Sequence, residues 1–269
     1  MRVTVFTSNQ PRHVALLEQL MEVASEVFAV VETATLFPGR VGDLHRGSEV
    51  MARYFDRVRA AEAAQFGAAR PAPAGVRVLP LRLGDASQVP PGWLREALDA
   101  DAIIVFGASY LRGALCEELV RRHAVNLHMG VSPQYRGSST NFWALYDRRP
   151  ELVGATIHRL TAGLDSGPIL FHALPPAEDC SAFALGMRAV AAGQAALVES
   201  LRTGELNELT SVPQDRAAQL RYSRGVDFTD AVAAEFLERV PSPQQIGAAL
   251  RSRDPEQFVR ARVEQFVRV

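Results

Sequence analysis

Asn126 and His128 stand two positions apart in Ala124-Val125-Asn126-Leu127-His128, a short run that is apolar apart from these two side chains. On an extended strand a period of two puts both on one face, where an amide and an imidazole address one ligand together. An imidazole titrates near neutrality and serves as a general base, and a carboxamide donates hydrogen bonds to developing negative charge. A carboxylate follows in Thr161-Ala162-Gly163-Leu164-Asp165-Ser166-Gly167-Pro168-Ile169, between glycines that let the backbone come close to a flat ligand. Between the two lies Met129–Trp143, rich in Gly, Pro, Ser and Asn, which reads as a loop able to wrap a ligand. Singly these are bland features: structural histidines also sit at strand ends, and an Asp between glycines is an ordinary turn residue. Their combination is what points to chemistry.

The elements that must position these residues follow from periodicity. Arg2–Phe6 alternates and is β-branched, so it reads as a strand, and the turn-like Thr7–Pro11 follows it. Val14, Leu17, Leu20 and Met21 recur at helical spacing from Arg12 to about Glu26, and Phe28–Val31 is strand-like again. A strand–helix–strand opening implies a parallel sheet. The rhythm breaks between Pro38 and Gly75, where a helical insertion over Ser48–Phe66 is expected. Beyond it come a strand at Val76–Leu83, a helix at Pro91–Leu98, a fully apolar central strand at Ala102–Phe106 and a helix over Arg112–Arg122. The Asn126/His128 strand comes next, with polar residues at its carboxyl end, where ligands bind in open α/β sheets. Gly154–Leu160 and Ile169–Leu174 read as a hairpin, Ala182–Thr203 as a long helix, and Thr229–Arg239 and Pro243–Leu250 as two shorter ones. The expectation is a Rossmann-like α/β fold, mostly parallel with helices on both faces. A main unit over 1–203 is followed by a small extension over 204–269.

Composition narrows the chemistry. The 269 residues are 48% hydrophobic with a formal net charge of -1, so no global field attracts nucleic acid or a membrane. No apolar stretch is long enough to span a bilayer, and MRVTVFTSNQ lacks the pattern of a signal peptide, so a cytoplasmic location is expected. Every basic side chain apart from histidine is arginine; the absence of lysine excludes Schiff-base catalysis and a phosphate-loop lysine. Two cysteines, Cys116 and Cys180, make neither a disulfide framework nor a metal-ligand pattern, and no metal is expected.

The ordered motifs Asn126-x-His128, Ser132-Pro133-x-Tyr135-Arg136-Gly137, Gly154-Ala155-Thr156-Ile157-His158 and Asp165-Ser166-Gly167-Pro168-Ile169 resemble the folate-dependent formyltransferase family. That family includes methionyl-tRNA formyltransferase, glycinamide ribonucleotide transformylase and the nucleotide-linked amino-sugar N-formyltransferases. The resemblance covers roughly Arg2–Thr203 and is strongest from Asp101 to Leu174. It implies a catalytic trio of Asn126, His128 and Asp165 and a co-substrate, 10-formyltetrahydrofolate. It further implies a pterin slot formed by Phe106, Gly107, Ala108, Tyr110 and Leu111, closed on the other side by Gly163. His158 reads as a structural residue behind the trio.

Departures from the relatives bear on the acceptor. Methionyl-tRNA formyltransferase carries a C-terminal barrel that this tail does not resemble, and the helical insertion is not a feature of the purine-pathway enzyme. A small amine, above all a nucleotide-linked amino sugar, is therefore expected, with no nucleic-acid or membrane partner. Ser8, Asn9 and Arg12 lie at a strand-to-helix turn suited to a phosphate, and Arg136 and Asn141 follow the catalytic strand; these five are the acceptor-side candidates. The pair Phe142-Trp143 either stacks on a base or packs. A homodimer through the C-terminal helices is a further expectation. Two alternatives stay open: formylation of an amino acid or hydroxylamine, and a non-catalytic folate- or nucleotide-binding module.

Overall fold

β-branched and apolar residues at Val3, Val5 and Phe6 start the chain as β1 (Arg2–Ser8), buried along nearly its whole length because both faces of the sheet are covered. The computed structural model describes residues 1–37 and 47–263. Residues 38–46, the beginning of the expected insertion, lie outside the described residues, as do 264–269.

After β1 come α1 (Pro11–Val23), β2 (Glu26–Thr33), α2 (Glu49–Phe66), β3 (Arg77–Arg82), α3 (Arg95–Leu98), β4 (Ala102–Val105), α4 (Gly113–Arg121) and β5 (Val125–Met129). They are followed by β6 (Tyr135–Gly137), α5 (Thr140–Tyr146), β7 (Ala155–Arg159), β8 (Ile169–Leu174) and α6 (Ala182–Arg202). The chain then forms β9 (Arg221–Ser223), α7 (Asp230–Glu238), α8 (Pro243–Arg251) and β10 (Arg262–Val263). Among the described residues the main sheet runs β10-β8-β7-β5-β4-β1-β2-β3. It is parallel except at β7, which is antiparallel to both β5 and β8. The mostly parallel α/β sheet expected from the sequence is thus present. Pro80 sits in β3, where its missing N–H is tolerated because β3 is the sheet edge.

Alternation along the strands divides the core between two faces. Val3, Val5, Ala29, Ile104, Leu127 and Ile157 pack under α1 and α6. Phe6, Val30, Ile103 and Val105 pack under α3 and α4 with Leu98, Leu115 and Leu119. At β5 the second face is left with Asn126 and His128, and β7 sets His158 opposite Asn126 and Thr156 opposite His128. One patch of the sheet is therefore polar. It lies beside the crevice where strand order reverses, since β2 and β3 extend to one side of β1 and β4 to the other.

The segment Met129–Trp143 is only partly a loop: β6 and α5 occupy much of it. Phe142 and Trp143 are buried, and Phe142 lies against Tyr54, Phe228 and Phe236, so they pack. The insertion helix α2 contributes Tyr54 to that aromatic cluster and is capped by Ser48, whose side chain accepts the Met51 N–H. Residues after 204 share this core through Ala233, Phe236, Ile246, Leu250 and Phe258. They also enter both sheets. β9 pairs with β6, β10 pairs with β8, and Val212 exchanges two 2.7 Å backbone bonds with Ile169.

Because Phe236 is only 2% exposed and touches three other rings, Phe236→Ala is expected to lower the unfolding free energy by about 3–5 kcal/mol. Urea denaturation followed by circular dichroism checks this: one transition at lower midpoint is expected, whereas an unchanged main transition would mean that the C-terminal helices are a detachable appendage.

Candidate active site

β5 aims Asn126 and His128 at the same side, and the β7–β8 loop folds back over them with Asp165. Asp165 adopts φ +46, left-handed backbone that Asp tolerates better than most residues. Two side chains hold it there. Arg136 donates to the carbonyls of Leu164 (2.8 Å) and Asp165 (3.2 Å), and Gln214 donates to those of Asp165 (2.9 Å) and Gly167 (2.8 Å). The loop presses so close to β7 that a Cβ on Gly167 would stand 1.7 Å from the Arg159 carbonyl oxygen. Only glycine fits.

The three polar residues converge. Asn126 Nδ2 lies 3.2 Å from Asp165 Oδ1 and 3.2 Å from His158 Nε2, and His128 Nδ1 is 3.4 Å from Asp165 Oδ1. His158 Nδ1 is 2.8 Å from the Arg159 carbonyl and must donate to it, which leaves Nε2 as an acceptor for the Asn126 amide. Burial holds His158 below the usual histidine range despite the attraction of Asp165, so it is neutral and fixes which way the Asn126 amide points. His128 is 7% exposed; with Nδ1 facing a carboxylate, its buried Nε2 has no partner among the described residues.

These groups form one end of a cleft of about 590 Å³. Its walls are apolar at Val105, Phe106, Leu111, Leu127 and Leu160. Gly107, at φ +72, packs against His13, and a Cβ there would lie 2.2 Å from His13 Nε2. The cleft thus joins an apolar stretch to the cluster of Asn126, His128 and Asp165, which suits a ligand with an apolar body and a polar group at its end.

A sequence model of the formyl transferase family matches residues 67–201, half of the chain, including the strands and loop that carry Asn126, His128 and Asp165. The chain belongs to the formyltransferase family. Methionyl-tRNA formyltransferase of Anaeromyxobacter dehalogenans is 36% identical over 136 residues, which are 50% of this chain and 43% of that protein. The match therefore takes in under half of the relative's own length. Among solved structures, a 4-N formyltransferase from Francisella tularensis superposes with a TM-score of 0.53 at 13% identity, covering 98% of each chain. The N-formyltransferase from Helicobacter canadensis, in complex with folinic acid and dTDP-3-aminofucose, gives 0.51 at 13% identity over 85% of this chain and 73% of that one. At such identities the likeness speaks to the fold alone.

In this formyltransferase fold the residues singled out from sequence divide into two groups. Phe106, Gly107, Ala108, Tyr110, Leu111 and Gly163 all line the cleft, as do Arg12 and Asn141. Asn141 is occupied, exchanging two bonds with the Gly154 backbone, and Arg12 is paired with Glu62 at 2.8 Å. Ser8, Asn9 and Arg136 do not line the cleft. Ser8 donates to the Glu32 carbonyl, Asn9 clamps the Ala34 backbone, and Arg136 grips the Asp165 loop from behind. The anion site expected at the start of α1 is also corrected. The buried Glu62 carboxylate of α2 already accepts the Arg12 backbone N–H at 3.2 Å, so this helix terminus has its anion.

Three residues escaped sequence reasoning. Glu32, 1% exposed at the end of β2, accepts from the N–H groups of Gly84, Ala86 and Ser109 and from the Ser109 hydroxyl, fixing the loop that forms the slot. Gln214 holds Asp165. His172, buried in β8, donates Nε2–H to the Ser132 carbonyl and accepts the Val259 N–H, tying the last segment to the loop after β5.

Glu32→Gln replaces one accepting oxygen by a donor facing N–H groups and is expected to lower stability by about 1–3 kcal/mol and to weaken folinic acid binding. Denaturation and calorimetric titration read the two effects; unchanged folinic acid affinity would separate Glu32 from the slot. A second expectation concerns pH. Burial pushes His172 from 6.5 down to about 4. Between those values the unfolded chain binds the proton and the folded chain does not, so stability falls as pH drops from 6.5 towards 4, by on the order of 3 kcal/mol. Histidine NMR titration with urea denaturation at several pH values tests this, and a protonated His172 at pH 5.5 in the folded protein would contradict it.

Proposed function

We infer that the protein transfers a formyl group from 10-formyltetrahydrofolate to the amine of a small acceptor. The observation that carries this reading is His128: its Nδ1 faces Asp165 while Nε2 has no partner among the described residues and the ring lines the cleft. An imidazole so oriented by a carboxylate takes the proton of an attacking amine. Phe106, Gly107, Ala108, Tyr110, Leu111 and Gly163 would hold the pterin, and the folate would supply a formyl carbon already activated on the nitrogen that follows the pterin. The acceptor nitrogen bonds to that carbon and the bond from the carbon to the folate nitrogen breaks. The amine proton passes to His128 Nε2 and from there to the departing folate nitrogen. Asn126 holds two amide bonds at 3.2 Å; exchanging one for a shorter bond to the formyl oxygen, as that oxygen becomes negative, stabilises the transition state more than the ground state. No covalent enzyme intermediate is needed, in keeping with a chain that has no lysine.

A nucleotide-linked amino sugar is the acceptor this reading favours. A sugar N-formyltransferase from a Shewanella species, whose fold aligns over 99% of this chain with a TM-score of 0.52, supports it. tRNA is the second reading, favoured by the identity to methionyl-tRNA formyltransferases.

Incubation with 10-formyltetrahydrofolate and panels of nucleotide-linked amino sugars and charged initiator tRNA, with mass detection of product, distinguishes the two. On the productive acceptor, His128→Ala is expected to lower kcat by roughly a hundredfold or more and to leave the melting temperature within a few degrees. Near-normal turnover by that variant would remove His128 from proton transfer, and formylation of no amine at all would overturn the assignment.

A further inference from the structure

Two loops wall the slot assigned to the pterin. The segment after β4, with Gly107, Tyr110 and Leu111, forms one side, and the β7–β8 loop, residues 160–168, forms the other with Thr161, Gly163 and Leu164. Among the described residues one hydrogen bond joins them: the Tyr110 hydroxyl donates to the Ala162 carbonyl at 2.6 Å. We propose that Tyr110 is a strap across the slot, whose bond to Ala162 opens to pass a folate in or out and, once remade, holds the loop of Asp165 against it. The proposal rests on the folate reading of the cleft and adds the step that admits and retains the co-substrate.

The two walls are anchored differently. The segment after β4 is fixed to the body of the protein: Glu32 accepts the Ser109 N–H at 2.6 Å and its hydroxyl at 2.9 Å. Ser87 Oγ donates to the Tyr110 carbonyl at 3.2 Å and accepts the Arg112 N–H at 3.0 Å. The opposite loop is fixed in one half only. Arg136 and Gln214 grip the carbonyls of Leu164, Asp165 and Gly167, whereas the Thr161 hydroxyl turns inward, 3.0 Å from Ser166 Oγ and 3.3 Å from the Gly163 carbonyl. For residues 161–163 the hydrogen bonds to the rest of the molecule, among the described residues, are that of Tyr110 and a 4.0 Å contact from the Cys116 thiol to the Thr161 carbonyl. A thiol is a weak donor, so the phenol is what holds this half. The phenol is also able to let go. Tyr110 is 45% exposed, so water replaces the Ala162 carbonyl when the bond breaks, and an exposed side chain changes rotamer faster than a loop rearranges. In the closed position the Arg112 guanidinium lies 5.6 Å from the ring centroid and steadies it. One such bond shifts a closing equilibrium by about threefold to tenfold, enough to retard the escape of a ligand and too little to bar its entry.

The test is Tyr110→Phe, which removes the hydroxyl and keeps the ring, with Tyr222→Phe as control, since Tyr222 is exposed and its hydroxyl makes no bond among the described residues. Amide hydrogen exchange of the free, full chain, read by mass spectrometry, is expected to quicken by about threefold to tenfold in peptides covering 160–167 of Tyr110→Phe and to stay unchanged in β5. Stopped-flow mixing with folinic acid should show dissociation faster by about the same factor and association no slower. The control should match wild type in both measurements. Unchanged exchange in Tyr110→Phe would overturn the proposal, because the bond would then not hold the loop. Faster exchange with a wild-type dissociation rate would also overturn it, by reducing the bond to a brace of the empty loop. Failure of folinic acid to bind wild type, with exchange of the loop still dependent on the Tyr110 hydroxyl, would instead strike the folate reading of the cleft and leave the tether between the two loops standing.

Discussion

A carboxylate has to be carried to the polar patch of a sheet by a loop that has no regular structure of its own, and everything at the site depends on how that loop is held. Asp165 cannot rely on a ladder of backbone bonds. Its carbonyl is gripped by Arg136 from the segment after β5 and by Gln214 from the segment after α6, and Gly167 lets the loop press against β7. Only with the backbone so fixed does one carboxylate oxygen face both Asn126 Nδ2 and His128 Nδ1. The chemistry of the imidazole follows from that contact, because it selects the nitrogen that is left free.

The sheet supplies the other half of the arrangement. Helices cover both faces of β1 and β4, where Val3, Val5 and Phe6 and the whole of β4 build the apolar core, whereas β5 and β7 have one face turned to the cleft. On that face Asn126, His128, Thr156 and His158 replace the aliphatic residues that alternation would otherwise place there. Burying His158 neutral costs protonation freedom, and in exchange its lone pair orients the Asn126 amide. A buried neutral histidine is here a positioning device, a finer role than the structural one that its motif suggested.

Much of this was legible in the sequence where the signal was local. The Asn126/His128 pair follows from period two on an apolar strand, and the slot residues and Asp165 from the resemblance of their motifs. What escaped was non-local or too short for periodicity. Glu32 meets partners 52 to 77 residues away, and nothing around it marks it as a hub. β6 and β9 have three residues each, and α5 begins after Ser139 in left-handed backbone with no side-chain cap, so neither pattern nor punctuation announced them. Arg136 stands in the segment after β5, but the sequence could not tell whether its guanidinium points into the cleft or behind the loop.

Glu62 gives the insertion helix a consequence beyond packing. By seating a carboxylate against the first turn of α1, the helix occupies the N–H group that helix termini in such folds offer to an anion, and its pairing with Arg12 closes that corner without net charge. The insertion thus stands in for an external anion and turns the start of α1 from a binding terminus into part of the scaffold.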